Sequence, residues 1–293
     1  MRGFLKYGSY RLLGALVGPL PPRIGYGIAR PASWLLYALS PTIRDNVAHN
    51  LSHVLDLEAS DKRVRATVHE VCLNIAKGHY ELFRLGRLSI EEIQAITQIE
   101  GKEHIEQALS KGKGVIVVAT HFGNVDILLQ LPVVYNIPFV APTQHIQPER
   151  LFQYTKSLRQ RHGVRLLPAD GPLMEIYRAL RRGEIIGLAC DRDIADNRRE
   201  VEFFGSRAWL PDGPVRVALR TGAALVPIFG LRLPDNTFVM RIEPALELPQ
   251  TGDHEADVTA GMEMVLEVVE QYISKHPEQW LLITPVWRVN SPR

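Results

Sequence analysis

The stretch KGKGVIVVAT, residues 111–120, restricts the fold more than any other part of the sequence. Small turn residues precede a continuous β-branched run, which is typical of a strand buried on both faces. Shorter runs that predict further strands follow at 138–141, 164–167, 185–190, 224–229, 238–242 and 280–284. Segments of helical character separate most of these runs. This alternation predicts an α/β fold, with a mixed, mostly buried sheet flanked by helices on both faces.

Helices are predicted between the strands at 124–131, 148–162, 169–182, 214–221 and 257–275. Asp170 and Pro172 predict the start of the helix at 169–182, as a cap and a first-turn proline. The polar residues 191–212 predict a loop.

Residues 1–100 are predicted to be helical. Apolar residues recur at helical spacing from Arg63 to Leu85 before Gly86, and Ser89 predicts the start of another short helix. No Gly/Ser/Pro-rich linker separates this region from the rest. We therefore treat the helical region, 1–100, and the α/β core, 101–293, as one domain.

Charge is distributed unevenly, although the whole chain carries a formal net charge of only +2. Residues 1–50 contain six basic residues and one acid, Asp45, interleaved with leucine, tryptophan and tyrosine. The early uncharged runs are shorter than the roughly 18–20 apolar residues that a spanning helix needs. This composition favours a helical layer that lies on an anionic membrane surface. The balanced overall charge argues against nucleic-acid binding.

Cys72 and Cys190 are the only cysteines, and they form no C-x-x-C motif. A disulfide framework is therefore excluded, which favours a reducing compartment. No secretory signal is recognisable at the start of the sequence, because Arg11 and several prolines interrupt the apolar stretch. We expect Cys190 to pack within its strand.

The motif HFGNVD, residues 121–126, pairs a histidine with an aspartate five places later. Ten histidines and 32 acids among 293 residues make about one such spacing expected by chance, and two occur. The other, His53 with Glu58, lies in a polar segment with no strand before it. His121 follows a buried strand, Gly123 permits a tight turn, and Asn124 can cap the helix that carries Asp126. A carboxylate held against an imidazole suits general base catalysis.

Several stretches resemble the lysophospholipid acyltransferase superfamily, and more specifically the bacterial lipid A and phosphatidylinositol mannoside acyltransferases. They match in the family's order: RDNVAHNL at 44–51, HFGNVD at 121–126, RQRHGVRLLP at 159–168, GLACDRDI at 187–194, EVEFFG at 200–205, LPDGPVRVALRTGAALVP at 210–227 and HPEQW at 276–280. The resemblance covers about residues 40 to 284.

The resemblance implies transfer of a fatty acyl chain from an acyl carrier protein or coenzyme A thioester to a hydroxyl of a glycolipid or lysolipid. His121 would be the general base, Asp126 its orienting carboxylate, and Glu200 an assisting acid. Our candidates for substrate binding are Asn124, Arg159, Asp191 and Arg192. No bound cofactor or metal is expected, and the predicted location is the cytoplasmic face of the inner membrane.

Two other readings stay open. His121, Asp126, Asp191 and Asp193, with His145, could be ligands of a metal-dependent hydrolase, since imidazole and carboxylate groups at strand ends suit a divalent ion. Against this, the sequence has no H-x-H spacing, and Arg192 separates the two acids. Alternatively, the chain could be a non-catalytic peripheral protein that binds lipids through its basic N-terminal region.

Overall fold

The computed structural model describes residues 2–134, 137–169, 171, 174–192 and 198–288. Asp170, Pro172 and Asp193 lie outside these ranges. The first 85 residues form helices, as predicted: α1 Arg2–Val17, α2 Pro22–Leu39, α3 Pro41–Leu55 and α4 Lys62–Leu85. Helix α4 begins where Asp61 accepts a hydrogen bond from the backbone N–H of Arg63 at 2.7 Å. Within the described ranges, no helix is both long enough and apolar enough to cross a membrane.

A seven-stranded mixed sheet forms the centre of the molecule. Its strands are β1 Thr97–Glu100, β2 Val115–Ala119, β3 Phe139–Thr143, β4 Arg165–Pro168, β5 Ile185–Ala189, β8 Ala224–Arg232 and β9 Phe238–Ile242. Their order across the sheet is β1-β9-β8-β2-β5-β3-β4. Only β8 and β9 pair antiparallel among these neighbours. The long connections between parallel strands run through helices, as the predicted alternation requires.

The remaining helices are α5 Ile90–Ala95, α6 Lys102–Ser110, α7 Val125–Leu128, α8 Leu131–Val134, α9 Glu149–Arg159, α10 Met174–Arg181, α11 Gly213–Thr221 and α12 His254–Lys275. Strand β2 shows why its sequence is apolar throughout. Ile116 and Val118 pack into one hydrophobic cluster, whereas Val115 and Val117 pack into another. The predicted α/β sheet with apolar layers on two faces is therefore confirmed.

Four local predictions were wrong. The region predicted to be helical, 1–100, ends in strand β1, Thr97–Glu100. The segment predicted as a polar loop contains a hairpin, β6 Arg198–Phe203 and β7 Ser206–Pro211, whose outer face is charged. The helix predicted at 124–131 is divided into the short helices α7 and α8. Instead of a last strand at 280–284, the chain makes one 3₁₀ turn, Pro277–Gln279, and a single bridge between Trp280 and Phe122.

Candidate active site

Strand β2 delivers His121 to the carboxyl edge of the sheet, where a tight turn follows. The His121 carbonyl accepts a hydrogen bond from the Leu281 N–H at 2.7 Å, and the Gly123 N–H donates to the Gln279 carbonyl at 2.8 Å. Gly123 has φ +60°, and a Cβ added there would lie 1.8 Å from the Gly230 carbonyl oxygen. Glycine is therefore required by both conformation and space. The turn is fixed from two sides.

Asp191 is the carboxylate that binds His121. Ala119 of β2 pairs with Ala189 of β5, so His121 and Asp191 each follow their paired strand by two residues. The Nδ1 of His121 lies 2.8 Å from Oδ1 of Asp191, and the backbone N–H of His121 donates to Oδ2 at 2.8 Å. Buried Trp280 donates its indole N–H to the same Oδ2 at 2.9 Å. Two parallel strands thus bring the acid and the imidazole together.

The electrostatics of this pair favour a charged imidazole. Burial opposes the charge on His121, but the neighbouring Asp191 carboxylate outweighs it and raises the His121 pKa above its usual 6.5. Burial alone would raise the pKa of Asp191, yet His121 and the three hydrogen bonds lower it. Asp191 thus stays ionised and holds the Nδ1–H of the imidazole. About 36% of the His121 side chain is exposed, and among the described residues Nε2 has no hydrogen-bond partner.

Asp126 forms no hydrogen bond or ion pair with His121 in this structure, contrary to the contact expected from the motif. Its carboxylate binds Arg159 instead, with 2.6 Å between Nε and Oδ1 and 3.4 Å between Nη2 and Oδ2. Gln130 spans the same contact by donating to the backbone carbonyls of Asp126 and Arg159. The reason is local geometry: Asp126 lies in the first turn of α7, Arg159 is the last residue of α9, and both helices contact α4.

Asn124 has the predicted capping role, since its Oδ1 accepts from the N–H of Ile127 at 3.1 Å. Its Nδ2 donates to the buried Glu81 of α4. Arg192 donates from Nη2 to Oε1 of Gln144 at 2.6 Å and is near enough to His121 to oppose its protonation.

Glu200 lies on the exposed face of the hairpin, and its side chain is 44% exposed. It forms a 3.7 Å ion pair with Arg207 across the two strands. Within the described ranges, no hydrogen bond or ion pair joins Glu200 to His121. In this structure the acid that contacts His121 is therefore Asp191, whereas Glu200 contacts Arg207.

The side chains expected as metal ligands do not lie together in the part of the chain that the structure describes. No group of three or more His, Cys, Asp or Glu residues there could hold a metal ion. His145 binds Glu149, the first residue of α9, four residues later in the sequence. Asp193, which was expected to contribute, lies outside the described residues.

Sequence reasoning missed three residues that shape the site: Trp280, Gln279 and Glu81. Trp280 and Gln279 belong to the HPEQW stretch, which matched the family but suggested no role. Glu81 is a buried carboxylate inside the amphipathic helix α4, where most positions of its face are apolar. A charged residue on an apolar helical face is the signal that could have identified it.

Comparisons with known proteins show which family this chain belongs to. A phosphatidylinositol mannoside acyltransferase of Mycobacterium tuberculosis is 29% identical over 213 residues, which are 71% of this chain and 66% of that protein. The enzyme of the same name from Mycolicibacterium smegmatis is 25% identical over 279 residues, covering 93% of this chain and 88% of the relative. A lipid A biosynthesis acyltransferase of Haemophilus influenzae is 27% identical over 216 residues, 71% of this chain and 65% of that enzyme.

The first and third of these alignments thus span just under two thirds of the relatives' own lengths. A model of the family described as bacterial lipid A biosynthesis acyltransferase matches residues 5–289, nearly the whole sequence. The chain therefore belongs to the bacterial lipid A biosynthesis acyltransferase family.

Proposed function

We propose that this protein is an O-acyltransferase that moves a fatty acyl chain from an acyl thioester to a hydroxyl of a glycolipid or lysolipid. The donor is acyl carrier protein or coenzyme A, and no bound cofactor takes part. The observation that carries the proposal is the contact between His121 and Asp191 at the carboxyl ends of neighbouring parallel strands, where α/β folds place their sites. Family membership supplies the class of reaction.

His121 acts as the general base. Its Nδ1–H is held by Asp191, so the Nε2 lone pair is available on the exposed side of the ring. Nε2 takes the proton of the acceptor hydroxyl while the hydroxyl oxygen attacks the thioester carbonyl carbon. When the tetrahedral intermediate collapses, the C–S bond breaks and the thiolate takes the proton from the imidazolium. The products are an ester and a free thiol, and the histidine returns to its neutral form.

Asp191 stabilises the imidazolium that forms when the hydroxyl proton is transferred. It accepts hydrogen bonds from the His121 backbone, the His121 ring and Trp280, so its orientation is fixed before the substrate arrives. A fixed carboxylate requires no reorganisation as charge develops. Asp126, by contrast, places Arg159 close to the imidazole, and we assign this ion pair to positioning α7 against α9.

Two cations near His121 suit an anionic substrate group. Arg159 and Arg192 both oppose protonation of the imidazole, which places their charges within electrostatic range of the ring. Arg159 uses Nε and Nη2 on Asp126, and its side chain remains 32% exposed. We assign both arginines to binding a phosphate or carboxylate of the acceptor or the donor.

The first two helices form the proposed membrane surface. Their exposed large apolar residues are Leu5, Leu12, Leu13, Leu16, Ile24, Ile28, Trp34, Leu35 and Leu39. The i, i+4 and i, i+7 spacings place many of them on common helical faces. The sequence from residue 1 to residue 44 contains no acid. An apolar face on basic helices fits peripheral attachment to anionic lipid, at the cytoplasmic face of the inner membrane.

The test is an acyl-transfer assay with radiolabelled acyl thioesters and three acceptor classes: lipid A precursors, mannosylated lipids and lysophospholipids. The wild-type protein should label one class, and the folded His121→Ala variant should lose the transfer. A folded His121→Ala variant with wild-type activity would overturn the mechanism. Binding of lipid without transfer by the wild-type protein would instead support a non-catalytic lipid-binding role.

A further inference from the structure

Helix α4 carries a buried carboxylate, Glu81, that takes no part in the proposed chemistry. Glu81 is 3% exposed and Arg232, at the end of β8, is 7% exposed. The two form a bidentate ion pair, with 2.7 Å between Nη2 and Oε2. Tyr26 of α2 donates its hydroxyl proton to Oε1 of Glu81 at 2.8 Å. The buried charge on α4 is thus held by groups from two other elements, α2 and β8.

The third partner of Glu81 is Asn124, which lies three residues after His121. The Nδ2 of Asn124 donates to Oε2 of Glu81, and its Oδ1 caps α7 by accepting from the Ile127 N–H. One amide side chain therefore connects Glu81 to the start of the helix that follows the catalytic turn. The orientation of Asn124 is fixed because each end of its amide has a defined partner.

Arg232 holds the other side of the same turn through Gln279. The Arg232 N–H donates to Oε1 of Gln279 at 2.8 Å, and Nε2 of Gln279 donates back to the Arg232 carbonyl at 3.1 Å. The carbonyl of Gln279 accepts the N–H of Gly123. The ion pair thus contacts Asn124 directly through Glu81, and the backbone of Arg232 holds Gly123 through Gln279. Gly123 and Asn124 directly follow the His121–Phe122 step.

A buried ion pair of this kind is a poor means of increasing stability. Desolvation of the two charges offsets most of their attraction, and apolar residues of similar volume often serve stability equally well. What a charged network adds is direction, because each hydrogen bond fixes an angle as well as a distance. The arrangement around Glu81 accordingly suits orientation of the turn.

We propose that Glu81, together with Arg232, is a positioning residue for His121: it fixes Asn124 and Gly123, and thereby sets where the imidazole meets the acceptor hydroxyl. This inference rests on the proposed function, in which His121 is the base. Glu81 does not touch the substrate. A displacement of the base by about 1 Å can lower the rate on the order of 100-fold, so loss of this network should appear in kcat.

The first experiment replaces both charges with apolar residues, Glu81→Met with Arg232→Met. This change avoids leaving one buried charge without its partner, so the double variant should fold with a Tm close to that of the wild type. We expect kcat to fall about 10- to 100-fold with KM little changed, because the acceptor for Asn124 is gone. Wild-type kcat in this folded variant would overturn the proposal.

The matched control is Glu184→Gln. Glu184 is also buried and bound by two arginines, Arg165 and Arg182, but it precedes β5 at the opposite end of that strand from Asp191. Its loss should lower Tm and leave kcat per folded molecule unchanged. An equal loss of kcat in the control would show that any disturbed ion pair has this effect, and would overturn the specific role of Glu81.

A rescue experiment tests the hydrogen bond between Glu81 and Asn124. Asn124→Asp removes the donor and sets a second carboxylate against Glu81, whereas Glu81→Gln added to it supplies an amide N–H that can donate to the new carboxylate. The double variant should recover at least part of the kcat that Asn124→Asp alone loses. No recovery in a folded double variant would contradict the proposal.

Hydrogen exchange separates this proposal from the proposed function. In the wild type the amides of Gly123 and Ile127 should be protected, and in the Glu81→Met, Arg232→Met variant they should exchange faster. This readout needs no acyl transfer. If the variant exchanges faster but the wild-type protein has no transferase activity, the positioning role of Glu81 stands and the proposed function is refuted. If the variant exchanges like the wild type and has normal activity, the positioning role is refuted.

Discussion

Nδ1 of His121 lies 2.8 Å from Oδ1 of Asp191, although 70 residues separate them in the sequence. The contact exists because β2 and β5 are neighbours in register, and each residue follows its strand by the same two positions. The acid that motif spacing suggested, Asp126, lies nearer in sequence but faces Arg159. The two acids therefore make different predictions for mutagenesis.

Asp191→Asn should lower kcat about 10²- to 10⁴-fold, because the amide keeps the shape of the carboxylate but cannot stabilise an imidazolium. Asp126→Asn should have a smaller effect on kcat, since it acts only indirectly, through the placement of Arg159, and leaves the contact between His121 and Asp191 in place. Steady-state kinetics of both purified variants, with circular dichroism to verify folding, test the contrast. A larger loss of kcat in Asp126→Asn would restore the assignment from the motif.

The pH dependence follows from the shifted pKa of His121. The imidazole accepts a proton only when neutral, so kcat/KM should fall as the pH is lowered through its pKa. Burial acts against the charged ring, but Asp191 raises the pKa above 6.5, so the midpoint of this acid limb should lie above pH 6.5. Asp191→Asn should move the midpoint to lower pH. An acid limb that is unchanged in this variant would exclude Asp191 as the partner of the base.

The same shift has a consequence for stability. A pKa that is raised in the folded state means that the folded protein binds the proton more tightly than the unfolded chain does. The contribution from His121 is therefore complete below about pH 6.5 and is lost as the pH rises through the folded-state pKa. Denaturant unfolding of the wild type and of His121→Ala, measured across this range, should show the difference shrinking towards high pH.

The ion pair between Asp126 and Arg159 should contribute to stability. Its side chains are 18% and 32% exposed, so the pair is only partly screened by water. Coulombic attraction from Asp126, opposed by burial, raises the Arg159 pKa and keeps the guanidinium charged. A double-mutant cycle with Asp126→Asn and Arg159→Gln should give a coupling free energy of about 1–3 kcal/mol. Additive effects of the two substitutions on unfolding would contradict it.

Membrane attachment can be tested on the first two helices. Leu12→Asp with Leu35→Asp places charges on the exposed apolar faces of α1 and α2. Burial of each leucine is worth about 1.5–3 kcal/mol, so partitioning into anionic vesicles should fall more than tenfold. Met174→Asp is the control, because Met174 is 50% exposed on α10. Cosedimentation with the vesicles should also weaken as the salt concentration rises. Binding that is unaffected by both the leucine substitutions and the salt would show that another surface contacts the membrane.

The sequence predicts the strands of this fold well because burial on both faces leaves an unbroken apolar run, as in Val115–Ala119. It fails at the hairpin β6–β7, where one face is charged. Phe204 and Gly205, both at positive φ, form the turn between β6 and β7. The polar residues around them gave no sign of this turn in the sequence. It fails also at 280–284, because Leu281 gives its N–H to His121 rather than to a strand.

Part of the site could also be predicted, because strand ends are recognisable in the sequence. A buried run followed by a histidine locates His121 at a strand end, and Asp191 could be found in the same way at the end of β5. That the two strands are neighbours cannot be read from their order in the chain, since β3 and β4 come between them in sequence but lie beyond β5 in the sheet. The partner of His121 is therefore set by topology, which local spacing does not encode.

The short segment from Gln279 to Leu281 closes the turn around His121 and donates an indole proton to Asp191. During synthesis, a ribosome adds these residues long after it has made the imidazole and its acid. A stalled nascent polypeptide that stops before residue 279 holds both reactive groups without the backbone that sets them in place. We therefore expect the geometry of His121 and Asp191 to be complete only after residues 279–281 have been made and have packed against the turn.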